Sequence, residues 1–169
     1  MRTVEVFADV LCPFTHVGLR ALVDRCGNRG LIEPRLRIRA WPLELINGKP
    51  LDSHHVGAEI LVLRASVCPD LFAGFSVDTF RGTSMAAFAL TAVADRVGLE
   101  PLDAETRSAT LHADWDEGRT RGVMGSPHFF TGDGGSWFCP GLDISRDNLG
   151  NFVIAWKQGT EAFVESVFG

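Results

Sequence analysis

Apolar and polar positions alternate in two early segments of the chain. Val4–Val10 is rich in β-branched residues, and in Leu36–Leu43 apolar residues alternate with Arg37 and Arg39. Alternation of this kind is typical of a strand with one buried and one solvated face. It predicts two strands, the second with both arginines on its solvated face.

A helical pattern separates these two strands. Apolar residues recur at helical spacing over Pro13–Arg25, and Gly27 and Gly30 are both available to end the helix in a left-handed cap. Strand, helix and strand in this order predict a right-handed crossover between parallel strands.

Further along, helical and strand patterns follow one another without repeats or low-complexity segments. Helical spacing returns around Ile60–Arg64, over Met85–Val93 and over Asp103–Gly118. In the last third we expect a hairpin of His128–Thr131 and Ser136–Cys139, a turn-rich link over Asp143–Gly150, a strand over Phe152–Trp156 and an amphipathic helix after Thr160.

Composition limits the possible functions. The chain has 169 residues, 46% of them hydrophobic, which suits one domain with a substantial core. A net charge of −5 gives no basic footprint for nucleic acid. The N-terminus carries no signal-peptide pattern, and no apolar run reaches membrane-spanning length. We therefore expect a cytoplasmic protein without nucleic-acid or membrane partners.

The main candidate for chemistry is Cys12, which ends the first strand and is followed at once by Pro13. Proline is favoured at the first position of a helix, so Cys12 is predicted to be the N-cap residue. The unpaired N–H groups and the helix dipole at that end stabilise a thiolate, which makes a cysteine nucleophilic. The alternative is a small buried side chain at the end of a strand.

Two polar residues of the same first turn are candidate partners of Cys12. The hydroxyl of Thr15 could donate a hydrogen bond to the thiolate, and His16, four residues on, could stabilise it or act as a base. Thr15 could also be a first-turn residue without a partner, and His16 a solvated side chain. The Cys12 and His16 spacing suits half of a zinc site, but no second pair matches it, so no metal is expected.

Residues 7–18 read FADVLCPFTHVG, which resembles the start of the active-site helix in DsbA-like thiol–disulfide oxidoreductases. The family has Cys-Pro-x-Cys at this point, whereas Thr15 replaces the second cysteine here. The resemblance implies an α/β, thioredoxin-like fold with an α-helical insertion. We expect one domain over 1–169, with thioredoxin-like parts 1–45 and 119–169 and the insertion over 46–118.

A second segment carries the same resemblance. Residues 122–130 read GVMGSPHFF, similar to the loop of thioredoxin-fold proteins whose cis proline faces the active cysteine. The resemblance implies a cis bond between Ser126 and Pro127, with the Ser126 backbone available to pair with an extended substrate. Pro13 and Phe14 would complete the substrate contacts.

The remaining cysteines are expected to be thiols rather than a disulfide framework. Cys26 lies at the far end of the first helix, about 20 Å from Cys12 at 1.5 Å per residue, so it cannot resolve a disulfide formed there. Cys68 is predicted to mark a helix end, and Cys139 to pack in the core or at a sheet edge.

The resemblance implies a thiol–disulfide oxidoreductase, and with Thr15 in place of the second cysteine it would use one nucleophilic cysteine. Cys12 would form a mixed disulfide with a disulfide or small thiol substrate, and an external thiol such as glutathione would resolve it. No tightly bound cofactor is expected. One alternative resembles kappa-class glutathione transferases and 2-hydroxychromene-2-carboxylate isomerases, which usually carry serine at the position of Cys12. The other is a binding module that has lost turnover.

Overall fold

A computed structural model describes residues 3–30, 35–85 and 104–168 of the chain. It shows a mixed α/β architecture, with one four-stranded sheet, a separate two-stranded sheet and helices around them. The strands are β1 (Thr3–Ala8), β2 (Arg35–Ala40), β3 (His128–Phe130), β4 (Ser136–Phe138), β5 (Leu142–Arg146) and β6 (Phe152–Trp156). The helices are α1 (Pro13–Arg29), α2 (Leu43–Asn47), α3 (Ser53–Ser66), α4 (Ala104–Thr120) and α5 (Glu161–Phe168).

The four-stranded sheet has the order β2-β1-β3-β4. β1 and β2 are parallel and joined through α1, as predicted, and β3 is antiparallel to both β1 and β4. The sheet therefore brings the first forty residues next to residues 128–138. This places the residue after β1 close to the residue before β3, where the candidate site lies.

Helix α1 begins as predicted and ends later than predicted. Cys12 is its N-cap in extended conformation, and Pro13 occupies the first turn. Gly27 continues the helix, and Gly30 ends it in the left-handed conformation, with its N–H bonded to the Cys26 and Gly27 carbonyls. The prediction of an end near Arg25 was wrong because a single glycine inside a helix lowers its stability without terminating it.

The two faces of the sheet are built differently. The face toward α1 and α5 is apolar. Its sheet residues are buried against residues of the two helices, in one cluster of Val4, Val6, Ala8 and Phe129 with Leu22, Phe163 and Val167. On the other face, Glu5 pairs with Arg39 and Arg121, and Arg39 pairs with Asp114 of α4 at 2.6 Å. The Arg39 side chain is only 13% exposed, so the prediction of a solvated Arg39 was wrong: α4 covers this face.

The turn-rich link predicted over residues 143–150 was also wrong in part. Leu142–Arg146 forms β5, which pairs antiparallel with β6 in a sheet of its own. Leu142 and Ile144 face inward while Asp143 and Ser145 do not, so the alternation was present in the sequence. This hairpin packs against α3.

The described part of the segment 46–118 contains helices joined by turns and irregular chain, the longest irregular stretch covering residues 67–84. It contains the end of α2, all of α3 and most of α4, and α4 confirms the helix predicted over Asp103–Gly118. The helix predicted over Met85–Val93 lies outside the described residues except for Met85. Among the helices that the structure describes, none is long and apolar enough to cross a membrane.

Candidate functional site around Cys12

The turn between β1 and α1 is fixed by a buried carboxylate. Asp9 accepts hydrogen bonds from the Leu11 N–H at 2.8 Å and from the Leu43 N–H at 2.7 Å. Its backbone carbonyl accepts the Cys12 N–H at 3.1 Å. Burial raises the pKa of Asp9, and the bonds from Leu11 and Leu43 oppose this shift. The carboxyl group thus ties the residues before Cys12 to the start of α2.

The cis bond expected between Ser126 and Pro127 is present. The loop that carries it lies directly against Cys12, whose thiol donates to the Ser126 carbonyl with 3.2 Å between sulfur and oxygen. On the neighbouring turn of α1, Gly18 leaves room for the proline ring. A Cβ built at Gly18 would lie 3.3 Å from Cγ of Pro127, tighter than ordinary van der Waals contact.

Two buried hydroxyl groups complete the surroundings of the thiol. The Thr15 and Ser126 hydroxyl oxygens are 2.7 Å apart, and Ser126 Oγ accepts the Asp9 N–H at 2.7 Å. Because that N–H occupies a lone pair of Ser126, its own proton is available for donation. The Ser126 and Thr15 side chains both act to lower the pKa of Cys12. Among the described hydrogen bonds, that of the Thr15 hydroxyl is with Ser126, so the direct bond predicted from Thr15 to Cys12 stays a prediction.

The acidity expected of Cys12 is not found in this arrangement. Burial raises the pKa of Cys12 from its ordinary 9.0 to about 11, although the Thr15 and Phe14 N–H groups and the two hydroxyls act to lower it. The side chain is only 2% exposed. The prediction of a stabilised thiolate was wrong for this state, because the groups that favour the charged sulfur do not replace the water that it loses on burial. At neutral pH the group is a thiol.

His16 is turned away from the thiol. Its Nε2 is 2.8 Å from the Val10 carbonyl oxygen, and its ring meets Phe72 edge-on with 5.9 Å between centroids. The histidine is exposed, and no contact with Cys12 is described for it. The structure thus brings Thr15 to Cys12 and places His16 between the β1–α1 turn and the segment 67–82.

The residues expected to bind substrate are gathered around Cys12 but covered. Pro13, Ser126 and Pro127 are buried, and Phe14 is half-buried against the apolar cluster of Val17 and Leu63. The Ser126 carbonyl already accepts the Cys12 thiol. The closed arrangement therefore leaves no open strand edge at Ser126.

Three further titratable residues were not predicted to matter. Asp9 has the turn role described above, and Cys139, next to the same loop, is 6% exposed. Glu59 of α3 is the third, and burial raises its pKa to about 7. The sequence signal for Asp9 was its position three residues before Cys12. The burial of Cys139 agrees with its predicted place in the core or at a sheet edge, whereas nothing local to Glu59 indicates its burial.

The comparisons with known proteins add no family. Models of protein families, curated proteins and solved structures give no match to this chain. Within the ranges that the structure describes, no group of three or more His, Cys, Asp or Glu side chains could hold a metal ion. The functional inference therefore depends on the geometry around Cys12.

Proposed function

We propose that this chain is a thiol–disulfide oxidoreductase with a thioredoxin-like fold and an α-helical insertion, related to the DsbA-like family. The element order supports this fold: β1-α1-β2, then α2 to α4, then β3-β4 and α5 match such a fold with an insertion, and the β5–β6 hairpin is an addition between β4 and α5. All four strands of the main sheet come from the expected thioredoxin-like parts, 1–45 and 119–169.

The observation that carries the function is the position of the Cys12 sulfur. The sulfur lies at the N-terminus of α1, and its thiol is hydrogen-bonded to the Ser126 carbonyl of the cis Ser126–Pro127 unit. The hydroxyl groups of Thr15 and Ser126 lie close to it. Helix N-terminus, hydroxyl donors and an adjacent backbone carbonyl are the groups that exchange of a thiol with a disulfide uses. A cysteine whose role is only core packing does not need groups that stabilise its thiolate.

The reaction proceeds in two exchanges. Cys12 loses its proton to solvent and attacks one sulfur of a substrate disulfide, forming a mixed disulfide and releasing the other half as a thiolate. A second thiol then attacks the mixed disulfide and regenerates Cys12. Thr15 and Ser126 donate to the Cys12 sulfur while it is charged. A low-molecular-weight thiol such as glutathione is the co-substrate, and we place the protein in the cytoplasm.

Access to Cys12 requires the closed arrangement to open. Phe72 is the contact between the first turn of α1 and the segment 67–82, through its ring against His16. It also packs against the apolar cluster that includes Val17. Its φ of 65° is uncommon for a bulky residue. Displacement of Phe72 lets water reach the first turn of α1 from the side of segment 67–82. The desolvation cost of a Cys12 thiolate is then lower.

The test is the reaction of the native protein with oxidised glutathione, with the oxidised cysteines assigned by peptide mapping. We expect Cys12 to be oxidised, and we expect the protein to accelerate exchange between glutathione and a small disulfide. Cys12→Ser abolishes this acceleration, while Cys26→Ser, at the other end of α1, retains it. If Cys12 stays reduced in the native protein but reacts in the urea-unfolded chain, the proposal is wrong.

A binding module without turnover is the second candidate. The burial of Cys12 and the raised pKa of its thiol favour it, because a neutral thiol shielded from solvent does not exchange. The two functions differ in one observable: a binding module keeps a reduced Cys12 in the presence of oxidised glutathione and retains ligand binding in Cys12→Ser.

A further inference from the structure

Cys139 lies beside the same loop as Cys12, reached from another part of the chain. It follows β4 directly, and its backbone N–H donates to the Pro127 carbonyl at 3.0 Å. The Cys12 thiol donates to the Ser126 carbonyl, one residue earlier, at 3.2 Å. Two cysteines 127 positions apart in sequence are thus hydrogen-bonded to neighbouring carbonyl groups of one cis dipeptide.

The side chain of Cys139 faces α1 rather than solvent. It is buried, at 6% exposure, in an apolar cluster with Val17 of α1, and Phe14 packs against the same cluster. Its φ of 43° is in the left-handed region, which is uncommon for residues other than glycine. The Cys139 thiol is therefore buried in a cluster to which the first two turns of α1 contribute.

We propose that Cys139 is the resolving cysteine for Cys12, in the position that Thr15 cannot fill. This inference rests on the proposed oxidoreductase function and replaces the external thiol in the second exchange. Substrate disulfides are the class of substrate, and the product on the protein is an internal disulfide between Cys12 and Cys139.

The bonds balance as follows. Cys12 thiolate attacks the substrate disulfide, so that a Cys12–substrate disulfide forms and one substrate thiolate leaves. Cys139 thiolate then attacks the Cys12 sulfur, so that the Cys12–Cys139 bond forms and the second substrate thiolate leaves. Two protein thiols are oxidised and one disulfide is reduced to two thiols. Two molecules of a low-molecular-weight thiol reduce the protein again and become a disulfide.

The electrostatics give these steps an order. The pKa of Cys139 is raised to about 12 by burial and by a negative charge on Cys12, against the positive charge of Lys157. Cys12, with a pKa of about 11, is therefore the easier of the two thiols to ionise and reacts first. The mixed disulfide at Cys12 carries no charge, so it does not oppose ionisation of Cys139 as a Cys12 thiolate would.

The first exchange also releases the Cys12 sulfur. In the thiol form Cys12 is held by donation to the Ser126 carbonyl. A sulfur in a disulfide has no proton to donate, so this bond is lost when the mixed disulfide forms. The Cys12 side chain can then turn from Ser126 toward Cys139, as the short sulfur–sulfur distance of about 2.0 Å in a disulfide requires.

The experiment follows the products of the native protein with oxidised glutathione over time. In the wild type we expect a transient glutathione adduct at Cys12, followed by a peptide pair linked through Cys12 and Cys139. In Cys139→Ala we expect loss of this pair and accumulation of the adduct. Cys68→Ala is the matched control. Cys68 packs against the same cluster, but its described hydrogen bond is to Leu63 rather than to the loop of Ser126 and Pro127. This variant should form the linked pair as the wild type does.

Each outcome has one meaning. A stable Cys12 adduct in the wild type, without the linked pair, overturns the role of Cys139 and leaves the single-thiol function standing. A reduced Cys12 in both proteins overturns the proposed function itself. Because the linked pair is sought in the unaltered chain, the test does not depend on whether Cys139→Ala folds.

Discussion

The two ends of helix α1 each bury a cysteine, and they differ in where the partners of the sulfur come from. Cys26 is 0% exposed, and its thiol donates to the Leu22 carbonyl, one turn earlier in the same helix, at 3.1 Å. Cys12 is 2% exposed, and its thiol donates to Ser126, 114 residues away. Burial is therefore nearly the same at both ends, but the described hydrogen bond of the Cys26 thiol is made within its own helix, whereas that of the Cys12 thiol is made to a distant segment.

This difference shows what separates a reactive position from a packed one. The thiol of Cys26 can be satisfied by any helix that contains it, because a carbonyl one turn back is always present. The surroundings of Cys12 exist only when β1, α1 and the loop before β3 are all in place. Changes at the two ends should accordingly affect different properties of the protein.

The largest effect on stability is expected at alkaline pH. The pKa of Cys12 is about 11 in the folded state, and in the unfolded chain it has its ordinary value of about 9. Below this range the thiol is protonated in both the folded and the unfolded state. Between these values only the unfolded thiol is ionised, and unfolding releases a proton, so stability falls as the pH rises. At about 1.4 kcal/mol per pKa unit, the loss due to Cys12 is about 3 kcal/mol.

Urea unfolding on both sides of this pH range measures the effect. The sequence contains no tyrosine, which keeps the range clear of phenol ionisation. Cys12→Ala should lose less stability with rising pH than the wild type does. Part of the dependence remains in Cys12→Ala because the pKa of Cys139 is also raised by burial. An equally steep loss in Cys12→Ala would show that Cys12 is not its source.

The features of the site that could be predicted from the sequence are those formed by residues close together in the chain. The strand, Cys12, Pro13 and the start of α1 are local, so the sequence indicated them, and the hydroxyl of Thr15 lies one turn from Cys12 for the same reason. The cis bond at Pro127 was expected only from a family resemblance.

The contact of Cys12 with the Ser126 loop could not be predicted in this way. It joins segments 114 residues apart in the chain, and the place of Cys139 near Cys12 depends on it, because the Cys139 N–H donates to Pro127 of the same loop. The pKa of Cys12 was predicted in the wrong direction because the local terms, the helix end and its N–H groups, were visible in the sequence and the desolvation was not. The covered side of Arg39 was missed for the same reason, since α4 lies far along the chain.

A smaller effect is expected from the segment that covers the Cys12 end of α1. Phe72 contacts His16, whereas Phe75, three residues on, packs against Phe80 and Gly57 of α3. Phe72→Ala should increase the rate of alkylation of Cys12 by iodoacetamide several-fold, because it removes the ring that joins segment 67–82 to the first turn. The rate at Cys12 is measured by peptide mapping after timed quenching.

Phe75→Ala is the control for this change. It removes an aromatic ring of the same size from the same segment, at a comparable distance along the chain from α3, and should leave alkylation of Cys12 as in the wild type. Equal acceleration in both variants would mean general loosening of the fold, and no acceleration in Phe72→Ala would mean that other residues cover Cys12.

The smallest effect, and the sharpest on the chemistry, is expected from Thr15→Val. Valine keeps the shape of the side chain and removes the hydroxyl that stabilises the Cys12 thiolate, so the pKa of Cys12 rises further. Ser126 still accepts the Asp9 N–H, so no buried donor is left unpaired and the stability cost stays near 1 kcal/mol. Alkylation of Cys12 at a fixed alkaline pH should slow by a few-fold.

Thr131→Val provides the matched comparison, since Thr131 is also a buried threonine, bonded to Asp133 and Ser166 at the far side of the hairpin. It removes a buried hydroxyl without touching the surroundings of Cys12. If both variants slowed the alkylation alike, the effect would come from the fold rather than from the hydroxyl. A slower reaction in Thr15→Val alone would assign the effect to the Thr15 hydroxyl and would show that a side chain of the first turn of α1 tunes the reactivity of Cys12.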